Sequence, residues 1–153
     1  MANVTVIEAL DLDNLDLNRV YAGSNYGNDS NFYDDLNIVA GGTAYKDVLE
    51  VFWDYDNGSY ISYFGGPSIN MEYDFSIFFT DYYTISGGKV SGYLEAYYDG
   101  YEYIPYASFT DISVSAEDLY DAAKTTDTSD EYRIITKALS GNDEFNLSDY
   151  DDI

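Results

Sequence analysis

The segment from Ile69 to Thr80 constrains the fold of this chain most strongly, because apolar and polar residues alternate along it. Side chains of a β-strand point alternately to the two faces of a sheet, so the pattern predicts one long strand with an apolar face and a polar face. Phe78 is the one exception. The apolar positions are Ile69, Met71, Tyr73, Phe75, Ile77 and Phe79, and the polar positions are Asn70, Glu72, Asp74, Ser76 and Thr80. The rest of the chain must cover the apolar face.

The composition predicts a single domain over residues 1–153. A chain of 153 residues is long enough to bury a substantial core. The hydrophobic fraction of 46% and the aromatic fraction of 18% argue against disorder. Tyr alone accounts for 19 residues, a bias that favours sheet structure.

The charge limits the partners that the protein can have. There are 29 acidic and 6 basic residues, which gives a formal net charge of −23. A negative field of this size repels phosphate, so we expect neither nucleic acid nor an anionic membrane as a partner. Divalent cations are the expected partners, since carboxylate and carbonyl oxygens bind Ca²⁺. Alternatively, the charge only keeps a Tyr-rich extracellular protein soluble.

Two residue types are missing from the sequence, namely Cys and His. Their absence excludes disulfides, thiol chemistry, zinc sites of the usual ligand set and catalytic triads that depend on His. The N-terminal residues Met1 to Glu8 have neither a basic region nor a long apolar run, so they do not predict a signal peptide. No later segment is apolar over enough residues to predict a membrane span.

Residues 44–114 show the pattern of an antiparallel sheet of about five to six strands. A strand over residues 47–55 is followed by Asn57-Gly58, a pair that tolerates the positive φ angles of tight hairpin turns. Gly87-Gly88 predicts a later turn, and Pro105 is expected to limit the strand in which it lies.

The period becomes helical in residues 115–140. Ser115 to Asp118 resembles a capping box, a second helix start begins at Asp127, and Gly141 stands where a helix C-terminal glycine belongs. Two helices after a run of strands predict an α+β fold, in which a curved antiparallel sheet carries both helices on one face. Residues 1–43 lack a clear period, and residues 21–35 predict a long loop.

The acidic tail, residues 141–153, contains the sharpest local motif. Asn142-Asp143 and Asp151-Asp152 are spaced nine residues apart. This spacing resembles the start of the RTX nonapeptide array of type I secreted bacterial proteins, in which Asp carboxylates bind Ca²⁺ in a parallel β-helix. The Gly-Gly-x-Gly run is missing, and a single rung cannot bury its own face. The resemblance implies Ca²⁺ ligation by these four residues, and the alternative is a solvated acidic tail.

The resemblance extends upstream over roughly residues 85–153, which look like a module found just before RTX repeats. It implies a secreted, non-catalytic structural or interaction module of a bacterial protein, exported by a type I-like route without an N-terminal signal. The missing signal peptide agrees with this expectation. The interaction partners then expected are other extracellular proteins or glycans.

Residues 75–87 carry a fainter similarity to the secreted hemophores, which acquire haem and also combine a curved antiparallel sheet with helices. The matching positions are Phe75, Phe78, Tyr83, Thr84, Ile85 and Gly87. Phe75 replaces the Tyr that ligates iron in that family, and Tyr83 replaces its supporting His. The resemblance implies a carrier of haem or another hydrophobic molecule, with Tyr82 or Tyr83 as the remaining ligand candidates. The two replacements argue against haem.

The sequence offers no nucleophile motif and no phosphate-binding loop, so we expect no enzymatic activity. Carboxylates are too frequent for a glycosidase pair to be singled out. Tyr93 and Tyr97 are candidates for stacking on sugars from an exposed sheet face, which suggests a carbohydrate-binding surface protein as a further alternative. Their packing across neighbouring strands is the simpler interpretation.

Overall fold

The computed structural model describes residues 1–6, 16–23, 30–75 and 81–146, with the side chains of residues 73–75 and 81–83 outside this description. Strands and helices are both present near each end of the chain, and the middle of the chain contains strands. In order they are β1 (Asn3–Val6), α1 (Leu17–Gly23), β2 (Ser30–Tyr33), β3 (Ile38–Ala40), β4 (Thr43–Tyr45), β5 (Asp47–Tyr55), β6 (Gly58–Gly66), β7 (Ser68–Phe75), β8 (Asp81–Tyr98), β9 (Tyr103–Ser115), α2 (Ala116–Ala123), α3 (Thr128–Ala138) and β10 (Glu144–Asn146).

The described strands form one large sheet with the order β10-β1-β9-β8-β6-β5-β2, and β7 pairs with β8 beside this row. All pairings in it are antiparallel except that of β1 with β10. Strand β8 is central: its first half pairs with β7, its second half with β6, and its other edge with β9. The prediction of a mixed fold around a mainly antiparallel sheet is confirmed. In the described part of the chain the sheet has eight strands, not five or six.

The helices cover one face of this sheet. Alternate residues of β5 turn Leu49, Val51 and Trp53 towards the helices, where they share a core with Leu17 of α1 and Leu119 of α2. Burial of this apolar surface stabilises the sheet by about 25 cal/mol for each Å² removed from water. The helices and the sheet thus form two layers around one core.

The β3–β4 hairpin packs on the opposite face of the sheet. Its Tyr45 is buried and shares a small core with Ala40 and Val48. A Cβ atom on either Gly65 of β6 or Gly92 of β8 would collide with the Tyr45 ring. Glycine at both positions is therefore what allows the ring to lie directly on the sheet backbone.

Strand β7 confirms the alternation that the sequence predicted, within the residues described. Ile69 is buried and Met71 is half-buried, while Asn70 and Glu72 are exposed. The strand ends at Phe75 in the described chain, and the expected continuation to Thr80 lies outside the described residues. Among the described strands it pairs only with β8, so it is a side strand and not the centre of the sheet.

The predicted turn at Gly87-Gly88 is wrong, because β8 runs through both glycines. Asn70 is opposite Gly87 and Met71 is opposite Ile85, so Ser86 is an extra residue in a β-bulge. Gly88 has φ 97°, and a Cβ there would collide with the Ser68 carbonyl. A Gly-Gly pair is compatible with a β-bulge as well as with a turn. Here the pairing of β8 with β7 continues through both glycines, so the bulge forms.

Strand β9 likewise continues through Pro105, which was expected to limit it. Strand β1 pairs with β9 from Ala107 to Thr110, so no described residue on that side needs the N–H group that Pro105 lacks. Tyr106 is an extra residue between the pairs Glu95–Ala107 and Ala96–Pro105. Proline is tolerated because it lies beside a bulge.

The two predicted C-terminal helices are present as α2 and α3. Ser115 caps α2 by accepting the Asp118 N–H at 3.2 Å, and Asp127 caps α3 by accepting the Ser129 N–H at 3.1 Å. None of the described helices is long and apolar enough to cross a membrane.

The N-terminal part is more structured than the sequence suggested. The expected loop over residues 21–35 contains the end of α1 and the whole of β2, and residues 24–29 lie outside the description. Helix α1 packs against β5 and α2, so tertiary contacts stabilise a seven-residue segment that is too short to be a stable helix alone.

Candidate functional site

An open cleft of about 370 Å³ lies on the helix-bearing face, at the end of the sheet where the β5–β6 and β8–β9 hairpins turn. We call it the aromatic cleft. Residues from α1 and from four strands line it: Arg19, Trp53, Tyr55, Gly58, Ser59, Tyr60, Tyr97, Tyr98 and Tyr106.

The floor of the aromatic cleft is held by an ion pair. Arg19 Nη2 of α1 lies 2.8 Å from Glu95 Oε1 of β8, and the Glu95 side chain is only 2% exposed. Alternation along β8 directs Glu95 to the same face as Tyr93 and Tyr97, so a strand position that normally carries an apolar residue carries a charge. Such a buried carboxylate is stable only with a partner, and Arg19 supplies it.

Hydrogen bonds near this pair also cross the sheet. The Tyr93 and Tyr106 phenols lie close enough to the Glu95 carboxylate for its charge to act on both of them. Trp53 Nε1 donates to Ser62 Oγ at 3.0 Å, and this hydroxyl lies 3.3 Å from the Tyr93 hydroxyl. Burial, followed by the charge of Glu95, raises the pKa of both tyrosines, so their phenols remain protonated donors. The network fixes the floor of the cleft in one arrangement.

Aromatic rings form the walls. Tyr60 stacks on Trp53 with ring centroids 4.5 Å apart and planes 17° apart. Tyr106 lies 6.5 Å from Tyr60 and 6.2 Å from Tyr97. The β9 bulge is what brings Tyr106 to this face, because without the extra residue its side chain would point to the opposite one. Trp53 is buried, whereas the three tyrosines are half-buried and offer ring surface to a ligand.

Arg19 also carries an unused donor. Its guanidinium lies 5.3 Å from the Trp53 ring centroid, a cation–π arrangement. Its Nε is buried and has no hydrogen-bond partner within the described chain. Unsatisfied buried donors are rare in folded proteins, and an oxygen of a bound ligand or water would satisfy this one. The cleft therefore combines ring faces with an Arg19 side chain whose Nε–H has no partner in the described chain.

The predicted Ca²⁺ ligands of the tail have different surroundings. Asn142 is exposed, and Asp143 Oδ1 accepts the Ala2 backbone N–H at 2.8 Å. Residues 144–146 then join the sheet edge as β10, parallel to β1. Asp143 Oδ2 is buried without a partner among the described residues. Asp151 and Asp152 lie outside the described residues, so the chain's second predicted ligand pair stays a prediction.

The hemophore-like positions lie on neighbouring strands. Phe75 is paired with Asp81, and Tyr82 and Tyr83 are paired with Asp74 and Tyr73. The side chains of Phe75, Tyr82 and Tyr83 lie outside the described part of the chain.

A small apolar cavity of about 80 Å³ lies between α1, α2 and the sheet, with Leu17, Leu49 and Leu119 in its wall. Ligand pockets usually measure about 300–1,000 Å³. We therefore take the aromatic cleft, and not this cavity, as the ligand site.

Sequence reasoning also missed an acidic cluster of Asp34, Asp35 and Asp47, whose carboxylate oxygens lie within 4.8 Å of one another. Asp47 is buried and accepts the backbone N–H groups of Asp35 at 3.0 Å and Ile69 at 2.8 Å. Lys46 Nζ lies 2.6 Å from Asp35. Asp35 and Asp47 already have partners in the described chain, and Asp47 links the start of β5 to Asp35 and to the start of β7, an arrangement that we call the Asp47 clasp.

Of the two tyrosines proposed to stack on sugars, the structure places only one at a surface. Tyr97 lines the aromatic cleft, but Tyr93 is buried in the core because its face is covered by the helices. Arg19, Trp53 and Glu95 were not singled out from the sequence. The available signal was Glu95 itself, an acid in phase with apolar residues of a strand.

Comparison of the chain with protein-family models, with curated proteins and with solved structures gives no match. The similarities to RTX-associated modules and to hemophores therefore stay predictions. Any function must be argued from the geometry of the site.

Proposed function

We propose that this protein is a non-catalytic binding module and that the aromatic cleft binds a neutral carbohydrate. The observation that carries the proposal is the placement of Tyr60, Tyr97 and Tyr106 around an open cleft whose floor is fixed by the Arg19–Glu95 pair. An extracellular location belongs to the same proposal and rests on the RTX resemblance alone.

The walls suit a sugar ring. A pyranose has apolar C–H faces and a polar edge of hydroxyl groups, and tyrosine offers a flat apolar face with a polar tip. The Tyr106 ring centroid lies 6.5 Å from that of Tyr60 and 6.2 Å from that of Tyr97, so each ring is held by a neighbour and little side-chain entropy is lost on binding. The free Arg19 Nε–H supplies a donor for a sugar oxygen. Few, fixed polar groups in an aromatic setting are typical of small-ligand sites.

The charges favour a neutral sugar over an acidic one. The positive charge of Arg19 is compensated by Glu95 at 2.8 Å, so no net positive charge remains to attract a carboxylate or sulfate. The net charge of −23 repels anions as they approach. We therefore expect uronic and sulfated glycans to bind more weakly than neutral ones of the same length.

The absence of catalysis is also part of the proposal. Glycoside hydrolysis requires two carboxyl groups flanking the scissile bond. Among the described residues that line the cleft, none is acidic. Glu95 lies beneath them and is already engaged by Arg19, Tyr93 and Tyr106.

The proposal is tested by screening an array of neutral and acidic glycans and then measuring the affinity of the best ligand by isothermal titration. Tyr97→Ala should weaken binding about tenfold, since one aromatic contact contributes about 1 kcal/mol or more. Tyr101→Ala is the matched control, because Tyr101 is 92% exposed in the β8–β9 turn. Equal affinity of both variants, or no glycan bound in the array, would refute the proposal.

A second proposal is that the tail binds Ca²⁺, and the buried, unpartnered Asp143 Oδ2 favours it. Carboxylate oxygens are the usual Ca²⁺ ligands. Asp143 Oδ1 is already held by Ala2, which leaves one oxygen of this residue for an ion.

A further inference from the structure

An aromatic corner lies on the face of the sheet opposite the aromatic cleft. The Tyr103 ring centroid is 5.2 Å from that of Tyr98 and 6.1 Å from that of Phe52. Tyr98 is 45% exposed and Tyr103 is 36% exposed, so the corner is open to solvent. Phe52 reaches it from β5 and packs on the apolar patch formed by Ile61 and Ala96.

The geometry of the corner differs from that of a flat stacking surface. The Tyr98 and Tyr103 planes are inclined by 47°, and the Phe52 and Tyr103 planes by 58°. The three rings therefore do not form one flat surface, and parts of the Tyr98 and Tyr103 rings are exposed to solvent.

Two carboxylates flank the corner. Glu50, Phe52 and Asp54 alternate along β5, so all three point to this face. The Asp54 and Glu50 charges both act on the Tyr103 phenol, whose pKa is raised first by burial and then by Asp54, Tyr98 and Glu50. Glu50 accepts Asn31 Nδ2 at 2.8 Å, and Asp54 accepts Ser59 Oγ at 2.7 Å, so both side chains are held in place by neutral donors.

The trough beside the corner has the same electrostatic character. It measures about 350 Å³ and lies between the β3–β4 hairpin and the sheet. Its described lining residues include Glu50 and Tyr103 but no Lys or Arg. The negative charge of this region is therefore not compensated by a nearby protein cation in the described lining, in contrast to Glu95 in the aromatic cleft.

We propose that Phe52, Tyr98 and Tyr103 form a binding site for a quaternary ammonium group, with Glu50 and Asp54 as its counter-charges. The negative ring faces attract a cation held within about 6 Å, and a quaternary ammonium loses little hydration on entering an aromatic site. A sugar would gain nothing from the two carboxylates, and an anion would be repelled by them. This site and the proposed carbohydrate site share Tyr98 at the edge of the sheet, but Phe52 and Tyr103 do not line the aromatic cleft.

The test compares choline with its uncharged carbon analogue, in which carbon replaces the quaternary nitrogen, by isothermal titration at low and high salt. Choline should bind at least about tenfold more tightly than the analogue, because only choline gains the cation–π and carboxylate interactions. Equal affinity of the two compounds would overturn the proposal. Phosphocholine represents a lipid headgroup in this test. Its phosphate would lie near Glu50 and Asp54, so phosphocholine should bind more weakly than choline if the natural ligand is a free solute.

Variants locate the binding site. Tyr103→Leu should reduce choline affinity about tenfold, while Tyr97→Leu, on the opposite face, should leave it unchanged. Asp54→Asn is a second variant at an exposed position, and it should weaken binding severalfold at low salt and less at high salt. Unchanged affinity in both Tyr103→Leu and Asp54→Asn, or a loss confined to Tyr97→Leu, would contradict the assignment.

Discussion

Arg19 of α1 and Glu95 of β8 form an ion pair of 2.8 Å in which the carboxylate is buried and the guanidinium is partly exposed. The pair links a short helix to the central strand of the sheet and forms the floor of the aromatic cleft. Arg19 also lies on the Trp53 ring, and the Glu95 charge raises the pKa of Tyr93 and Tyr106 after the larger effect of their burial. One contact therefore connects the packing of α1 with the shape of the proposed binding site.

Removal of one partner of this pair should destabilise the protein strongly. Arg19→Met leaves the buried Glu95 charge uncompensated, and we expect a loss of about 3 kcal/mol in the free energy of unfolding. The double variant Arg19→Met/Glu95→Leu should recover much of this loss. Lys46→Met is the control, because its pair with Asp35 is exposed and should contribute little to stability. Urea unfolding of the wild type and the three variants measures their free energies of unfolding. Equal losses of this free energy in Arg19→Met and Lys46→Met would contradict the account.

Glu131 of α3 predicts a pH dependence of stability. The side chain is fully buried, its Oε1 accepts the Leu17 N–H of α1 at 3.2 Å, and burial raises its pKa from 4.5 to about 7. The folded state then binds the proton more tightly than the unfolded state, so this group's contribution is complete below about pH 4.5 and is lost as the pH rises to about 7.

Glu131→Gln should remove this dependence, since glutamine keeps an oxygen for Leu17 but does not ionise. The variant should be more stable than the wild type at pH 8 by about 2–3 kcal/mol and nearly equal to it at pH 4.5. Urea titrations at the two values measure the difference. A stability difference that does not change with pH would show that Glu131 is ionised throughout.

The Asp47 clasp predicts a sharp contrast between two neighbouring carboxylates. Asp47→Asn replaces one acceptor oxygen by an NH₂ group facing a backbone N–H, and we expect a loss of about 2–3 kcal/mol. Asp34→Asn changes an exposed side chain and should alter stability by less than about 0.5 kcal/mol. Thermal unfolding compares the two variants, and similar melting temperatures would be inconsistent with a clasp.

We predict that Ca²⁺ raises the thermal stability of the protein and that this effect requires Asp143. If Asp143 Oδ2 is a ligand, Ca²⁺ at concentrations well above its dissociation constant should raise the melting temperature of the wild type. Asp143→Asn keeps an acceptor for Ala2 but lowers the charge, so the shift should disappear. Mg²⁺ serves as the control cation. Identical shifts with both ions, or in both proteins, would indicate a general effect on the net charge of −23.

The parts of the fold that follow from local signals could be predicted from the sequence. The β5–β6 hairpin turns where expected, although Asp56 and Asn57, and not Asn57 and Gly58, have the positive φ angles; the α2 cap at Ser115 is the one expected. The alternation from Ile69 to Glu72 places the residues on the expected faces. In each case, neighbouring residues determine the conformation.

The parts that depend on distant partners could not be predicted. The Gly87-Gly88 bulge is selected by β7, and the contact of Tyr45 with Gly65 and Gly92 joins three separate strands. Contacts between residues distant in the sequence also bring together the residues that line the aromatic cleft. Tyr106 reaches it only through a bulge in β9, and Arg19 reaches it from a helix that has no clear sequence signal.

Trp53 provides the most direct test of the proposed carbohydrate site, because it is the only tryptophan of the chain and lies beneath the aromatic cleft. Its fluorescence should change saturably as a neutral oligosaccharide found in the array is added, and an acidic glycan of equal length should produce a weaker response. Tyr97→Ala should shift the midpoint of the titration to about tenfold higher concentration, whereas Tyr101→Ala should leave it unchanged. Saturable binding by calorimetry that leaves Trp53 fluorescence unaltered, with identical midpoints in the two variants, would contradict a carbohydrate site in this cleft.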